Sequence, residues 1–371
     1  MPVFHSRHGI CNLNINEKRE ANGREEWMSK EENSWTYTLL ASSINIGLKL
    51  LETPEGKNAL IRLGQFVIRE WHTTNTHRFG GNINRMDRYV DHFLSSLRRD
   101  FPLVNVVDLG GPDVLAAAQR IDPFPGLTWD GNLDAYWPKG SVGFYFNSRR
   151  VADMVAAASA MGSTGLTARS RSRADSNRMA RRHKGFQFMF AVATAHELCH
   201  AFVAYLSQNE VELGGYTPPN VSYLNYQVQY STARGPNGES GRWFESILFG
   251  GSIEFYRNER DDHGQVGIAH VLNQEATAFP IDPAFINGMV QSPPVFQFPF
   301  PTSGTPITQA QRVQRRLRSL GSTNSGGPLP QGLLYMRSRH VGPVLAYNVT
   351  EEQLRGIPVS PRPLRAQRVA A

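Results

Sequence analysis

Cysteine is scarce: of 371 residues only Cys11 and Cys199 carry a thiol, one in a polar N-terminal segment and one inside an apolar run. Two thiols so placed argue against a disulfide framework and against the small cross-linked folds that depend on one. The opening stretch MPVFHSRHGICNLNINEKRE lacks the apolar core of a signal peptide, so the chain is expected to be intracellular, in the cytoplasm. Long hydrophobic runs are equally few. The one that reaches spanning length extends from Phe186 to Leu206, and three ionisable residues at its middle, His196, Glu197 and His200, argue against a membrane helix. Charge is modest at 19% of residues but uneven, with a formal net charge of +7. The excess gathers in Arg169, Arg171 and Arg173 with Arg178, Arg181 and Arg182, and in the last third of the chain. No zinc-finger spacing, helix-turn-helix or RNA-binding aromatic pattern accompanies these arginines, so solvated loops account for them and nucleic acid is not an expected partner.

What is present is concentrated in one stretch, Ala195-His196-Glu197-Leu198-Cys199-His200-Ala201. On a helix, residues four apart share a face, so His196 and His200 can hold one metal ion between their imidazoles. Glu197 stands one position round from that face. Two neutral nitrogen ligands, an open coordination position for water and a carboxylate to take the water's proton are what a zinc-dependent hydrolase requires. The flanking sequence, FQFMFAVATAHELCHAFVAYL, is apolar on nearly all sides, as a helix buried within a domain would be. Buried histidines and a buried carboxylate need a partner, and a metal ion satisfies all three. Zinc is therefore the expected cofactor.

These residues resemble the active-site helix of the zincin metallopeptidases, and within them the gluzincin type, whose third zinc ligand is a glutamate on a later helix. The later segment Glu239-Ser240-Gly241-Arg242-Trp243-Phe244-Glu245, followed by Phe249-Gly250-Gly251, is also similar to a group of fungal proteins that pair H-E-x-x-H with E-x-G-x-x-x-E and F-G-G. The resemblance covers roughly residues 185–256. It implies an α+β zincin-like fold, zinc held by His196, His200 and a glutamate, and Glu197 as general base in the hydrolysis of a peptide substrate. Two glutamates compete for the third position. Glu245 stands ahead, because it falls in mid-helix with the small Gly241 one turn earlier on its face. Glu239 lies near the helix start, where the helix dipole already explains an acid. Asp261 and His263 are more distant alternatives, and Tyr256 reads first as a half-buried strand tyrosine, with contact to a developing oxyanion, as a Tyr or His makes in related enzymes, the second reading.

The remainder is read as a frame for this site. Residues 1–33 are polar and expected to be disordered, residues 34–275 form the catalytic domain, and residues 276–371 form a Pro/Arg-rich extension that is partly ordered. Apolar spacing predicts helices in Trp35–Leu51, Lys57–Trp71, Arg85–Arg98 and Arg149–Met161. Short strands are expected in Pro102–Phe146, and the zincin resemblance implies SVGFYFN (Ser141–Asn147) as the sheet edge that receives substrate, with an ordinary interior strand the equal alternative. Gly162–Arg182 reads as a surface loop, Ser252–Arg257 as a strand and Ala310–Leu320 as a basic helical stretch, with further strands at Gly332–Arg337 and Val344–Asn348. Two other classes stay open at this point: a zinc-holding scaffold without turnover, and a basic protein that binds nucleic acid or another partner.

Overall fold

In the computed structural model, residues 9–322 are described except 22–23, 75–78, 111–113, 122–128, 163–172, 209–216, 225–227, 233–234, 259 and 262. The polar N-terminal segment is not a tail. Ile15–Ala21 (β1) and Arg24–Ser29 (β2) form an antiparallel pair, and β1 pairs in parallel with Leu103–Val107 (β3). For the described residues of 9–33 the expectation of disorder is corrected, for a physical reason: Ile10 and Ile15 are wholly buried and draw the segment inward, and the charge on Glu17 is met by Arg19 and Lys30. Composition averaged over the segment conceals both.

The helices Trp35–Glu52 (α1), Pro54–Thr73 (α2) and Met86–Arg99 (α3) stand where the apolar spacing places them. Thr53 ends α1 and caps α2, its hydroxyl accepting from the Gly56 amide. Ala116–Arg120 (β4) follows, then a short helix at Pro138–Ser141 (α4), Val142–Asn147 (β5) and Ser148–Gly162 (α5). The five strands run in the order β2-β1-β3-β5-β4, with β3 and β5 parallel and β4 antiparallel to β5. The segment expected as the sheet edge is therefore β5, an interior strand paired on both sides with every residue buried. The sheet ends at β2 and at β4, and the edge beside α6 is that of β4, Ala-Ala-Ala-Gln-Arg, whose alanines give no strand signal in the sequence.

The longest helix, Arg173–Leu206 (α6), carries both histidines and lies against α1, α5, β4 and β5. It begins earlier than Phe186. Arg173–Arg182, expected as loop, is its first part, and Arg182 is buried in an ion pair with Asp261. The rest of the expected loop, residues 163–172, lies outside the described residues. The helix is long and apolar enough to cross a membrane, yet 94% of its apolar window is buried inside the fold, so burial by the chain itself accounts for its composition. α1 crosses it closely: a Cβ on Gly47 would fall 2.7 Å from the Ala191 carbonyl oxygen.

After a small hairpin, Val228–Thr232 (β6) and Gly235–Asn237 (β7), comes Ser240–Leu248 (α7). A second sheet is built from Ser252–Tyr256 (β8), Ile268–Leu272 (β9), Ala278–Pro280 (β10) and Ser319–Ser322 (β11), in the order β10-β9-β8-β11. Pro283–Met289 (α8) and Gln309–Gln314 (α9) precede β11. No boundary falls at residue 275, because β10 and β11 share a sheet with β8 and β9. Phe285 and Phe300 also pack on Phe188 of α6. The fold is thus α+β, with part of the expected extension inside it. The strands expected at 332–337 and 344–348 lie outside the described residues.

Candidate metal centre

Helical geometry sets His196 and His200 one turn apart on α6, with their Nε2 atoms 3.4 Å from each other. Opposite them stands Glu239, the residue that caps α7. Its Oε2 accepts the Arg242 amide at 2.6 Å, as an N-cap oxygen does. Its Oε1 is left to face the histidines, 2.7 Å from His200 Nε2 and 3.2 Å from His196 Nε2. Zinc bonds of about 2.0–2.1 Å in a tetrahedral site place ligand atoms roughly 3.3 Å apart. Two of the observed separations, 3.4 and 3.2 Å, lie near that value, the third is a 2.7 Å hydrogen-bond contact, and one carboxylate with two imidazoles is a donor set that suits zinc. The group His196, His200 and Glu239 could therefore hold a metal ion.

Each imidazole is oriented from behind. His196 Nδ1 is 2.9 Å from Glu245 Oε1, and the other oxygen of Glu245 accepts the Ile253 amide of β8 at 3.0 Å. His200 Nδ1 is 3.0 Å from the hydroxyl of Ser240. Both rings thus turn Nε2 toward the centre, the arrangement that fixes tautomer and direction in metal-ligating histidines. Glu245, placed first by the sequence, stands on the far side of His196, and Glu239 takes the inner position. An acid at a helix start is ordinarily explained by the dipole, but a carboxylate has two oxygens and here they serve two purposes. Gly241 does matter, because a Cβ there would fall 2.4 Å from the His196 ring.

The other candidates are placed elsewhere. Asp261 pairs with Arg182, and the His263 carbonyl accepts from the same guanidinium. The Tyr256 hydroxyl donates to Glu254 Oε2 at 2.5 Å, so it is already committed. Cys199, wholly buried, points its thiol at the Ala195 carbonyl, and burial together with the surrounding carboxylates holds its pKa well above the usual range.

Glu197 does not belong to the three-atom cluster. It is 1% exposed, and its Oε2 accepts the Ala118 amide of β4 at 2.6 Å. Burial raises its pKa, against the pull of the neighbouring histidines. For His196, burial resists the charged form, but Glu239 and Glu245 outweigh it and carry the pKa up to about 10. His200 is also raised, against its burial, mainly by Glu239. Despite burial, Glu239 is held well below the carboxylate range by the two histidines. Three carboxylates gathered around two imidazoles in a dry site call for positive charge, which protons or a metal ion can provide. Access is from one side: the His200 side chain is 22% exposed, whereas those of His196 and Glu239 are at 0% and 2%.

Sequence reasoning missed Ser240 and Ala118. Ser240 sits beside a candidate ligand and offers a hydroxyl, a signal that was available. Ala118 acts through its backbone and offers none. Comparison with known protein families, curated proteins and solved structures finds no match to this chain.

Proposed function

We propose that the protein is a zinc-dependent hydrolase of zincin-like type that cleaves peptide bonds, with zinc held by His196, His200 and Glu239. The observation that carries this reading is the position of Glu197: a buried carboxylate beside the three-atom cluster, outside it, and joined to an open strand edge. Bound zinc would supply a Lewis acid and lower the pKa of a water molecule in its open position. Glu197 accepts the proton of the attacking water and later returns it to the leaving amine. Glu245 and Ser240 hold the two imidazoles in place.

The edge of β4 supports a peptide as substrate. The Leu115 carbonyl accepts the Asn147 amide and the Ile121 amide donates to the Ser141 carbonyl, so odd-numbered residues face β5. The backbone groups of Ala116, Ala118 and Arg120 therefore point away from it. The Ala118 amide is engaged by Glu197 Oε2, and the outward carbonyl of Ala118 stays to accept from an extended peptide laid beside Glu197. A scaffold without turnover is the second reading, favoured by how little of the centre is exposed. Zinc analysis of the purified protein together with cleavage assays on a broad peptide library separates them. One zinc per chain with Glu197-dependent cleavage supports the hydrolase, tightly held zinc without cleavage supports the scaffold, and absence of zinc defeats both.

A further inference from the structure

We infer that the surface formed by Arg257, Arg315, Arg316 and Arg318 is a docking face for the phosphate backbone of nucleic acid. All four side chains are exposed. The Arg257 amide donates to the Arg318 carbonyl at 2.9 Å, extending the β8–β11 ladder and setting two arginines directly opposite each other. Like charges opposed across a strand pair repel, so folding alone does not favour this arrangement, whereas an anion lying over it does. Arg315 ends α9, where the helix dipole accounts for one cation. It does not account for the other three.

None of the four makes an ion pair with a described residue. Two acids of the adjoining elements are engaged elsewhere, Glu254 with Tyr256 and Asp261 with Arg182. Every cation of the group is an arginine, whose planar fork matches phosphate oxygens better than a lysine ammonium does. The chain leaving β11 continues the same sign: residues 323–371 contain six arginines, two glutamates and no lysine or aspartate. An anionic membrane would need an apolar face to enter, and α9 exposes Val313 among glutamines and one alanine. A nucleic-acid backbone needs only closely spaced cations, since a duplex presents a charge about every 1.7 Å of its axis. The expectation that nucleic acid is not a partner rested on the lack of a base-reading module, and a backbone contact requires none.

The test is fluorescence anisotropy of a labelled 20-base-pair duplex titrated with the full-length protein at several salt concentrations, beside the variant R257Q/R315Q/R316Q/R318Q. The expected result is binding by the parent at low salt, with affinity falling steeply as salt rises. The variant should bind at least about tenfold more weakly, with a salt slope smaller by about 3 to 4, one counterion release per lost contact. Its circular dichroism should match the parent, since all four side chains lie on the surface. Three results would overturn the inference: no binding by the parent at low salt, an unchanged slope in a folded variant, or equal retention of the parent by poly-glutamate or phosphatidylserine vesicles.

Discussion

Gly241 lies flat against the imidazole of His196, so that a Cβ at position 241 would stand 2.4 Å from Nε2, the atom that faces Glu239. The ring cannot retreat freely, because Glu245 holds its Nδ1 from the other side. Gly241→Ala is therefore expected to push a ligand out of place, not merely to crowd a core. Zinc affinity, measured by competition with a chelating dye, should fall at least tenfold. Thermal unfolding should register about 1–3 kcal/mol of overpacking. Unchanged affinity would mean that His196 is not a ligand.

The two glutamates should separate cleanly. Glu239→Ala removes an inner oxygen and the α7 cap together, and should abolish stoichiometric zinc. Glu245→Gln still reaches His196 but orients it less firmly, and should keep zinc while weakening it by about 10- to 100-fold. Zinc content of the two purified variants, read by mass spectrometry, decides between them.

Glu197→Gln keeps shape and volume but cannot accept a proton. Cleavage of a peptide library should drop by on the order of a hundredfold to ten-thousandfold while zinc content stays at the parent level. Loss of zinc in this variant would place Glu197 among the ligands.

Protons and zinc should compete for the centre. His196 of the metal-free protein has a pKa raised from 6.5 to about 10, so at pH 7.5 it is charged and must release its proton to bind metal. Calorimetric titration in two buffers of different ionisation enthalpy should show net proton release. The sign for stability follows: the protonated histidine favours the metal-free fold fully below about pH 6.5, and that contribution fades as the pH rises through about 10. Metal-free protein should accordingly melt at a lower temperature near pH 10 than at pH 7.

Far from the centre, Arg182→Ala leaves Asp261 without its buried partner. A loss of about 3 kcal/mol is expected in urea unfolding, with zinc content intact. A neutral result would show that water reaches the pair.

The parts of the fold legible in the sequence were those carried by spacing. His196 and His200 share a helical face whatever surrounds them, and the apolar stripes of α1, α2 and α3 announce their helices. Features that depend on a tertiary partner were hidden. The β4 edge is written in alanines, which favour helix over strand, and β1 looks too charged to enter a sheet until Arg19 and Lys30 meet Glu17. The order of Glu239 and Glu245 could not be read from propensity either, because it depends on which nitrogen of His196 each one reaches.

The hydrogen bond from Ile253 to Glu245 ties the centre to β8, and β8 is flanked by β9 and β11. During synthesis the histidines and both glutamates leave the ribosome well before Ser319–Ser322, the residues of β11. Until those four residues emerge, the strand that steadies Glu245 has one neighbour instead of two. A nascent chain thus carries His196, His200, Glu239 and Glu245 for dozens of residues before β8 gains its second neighbour.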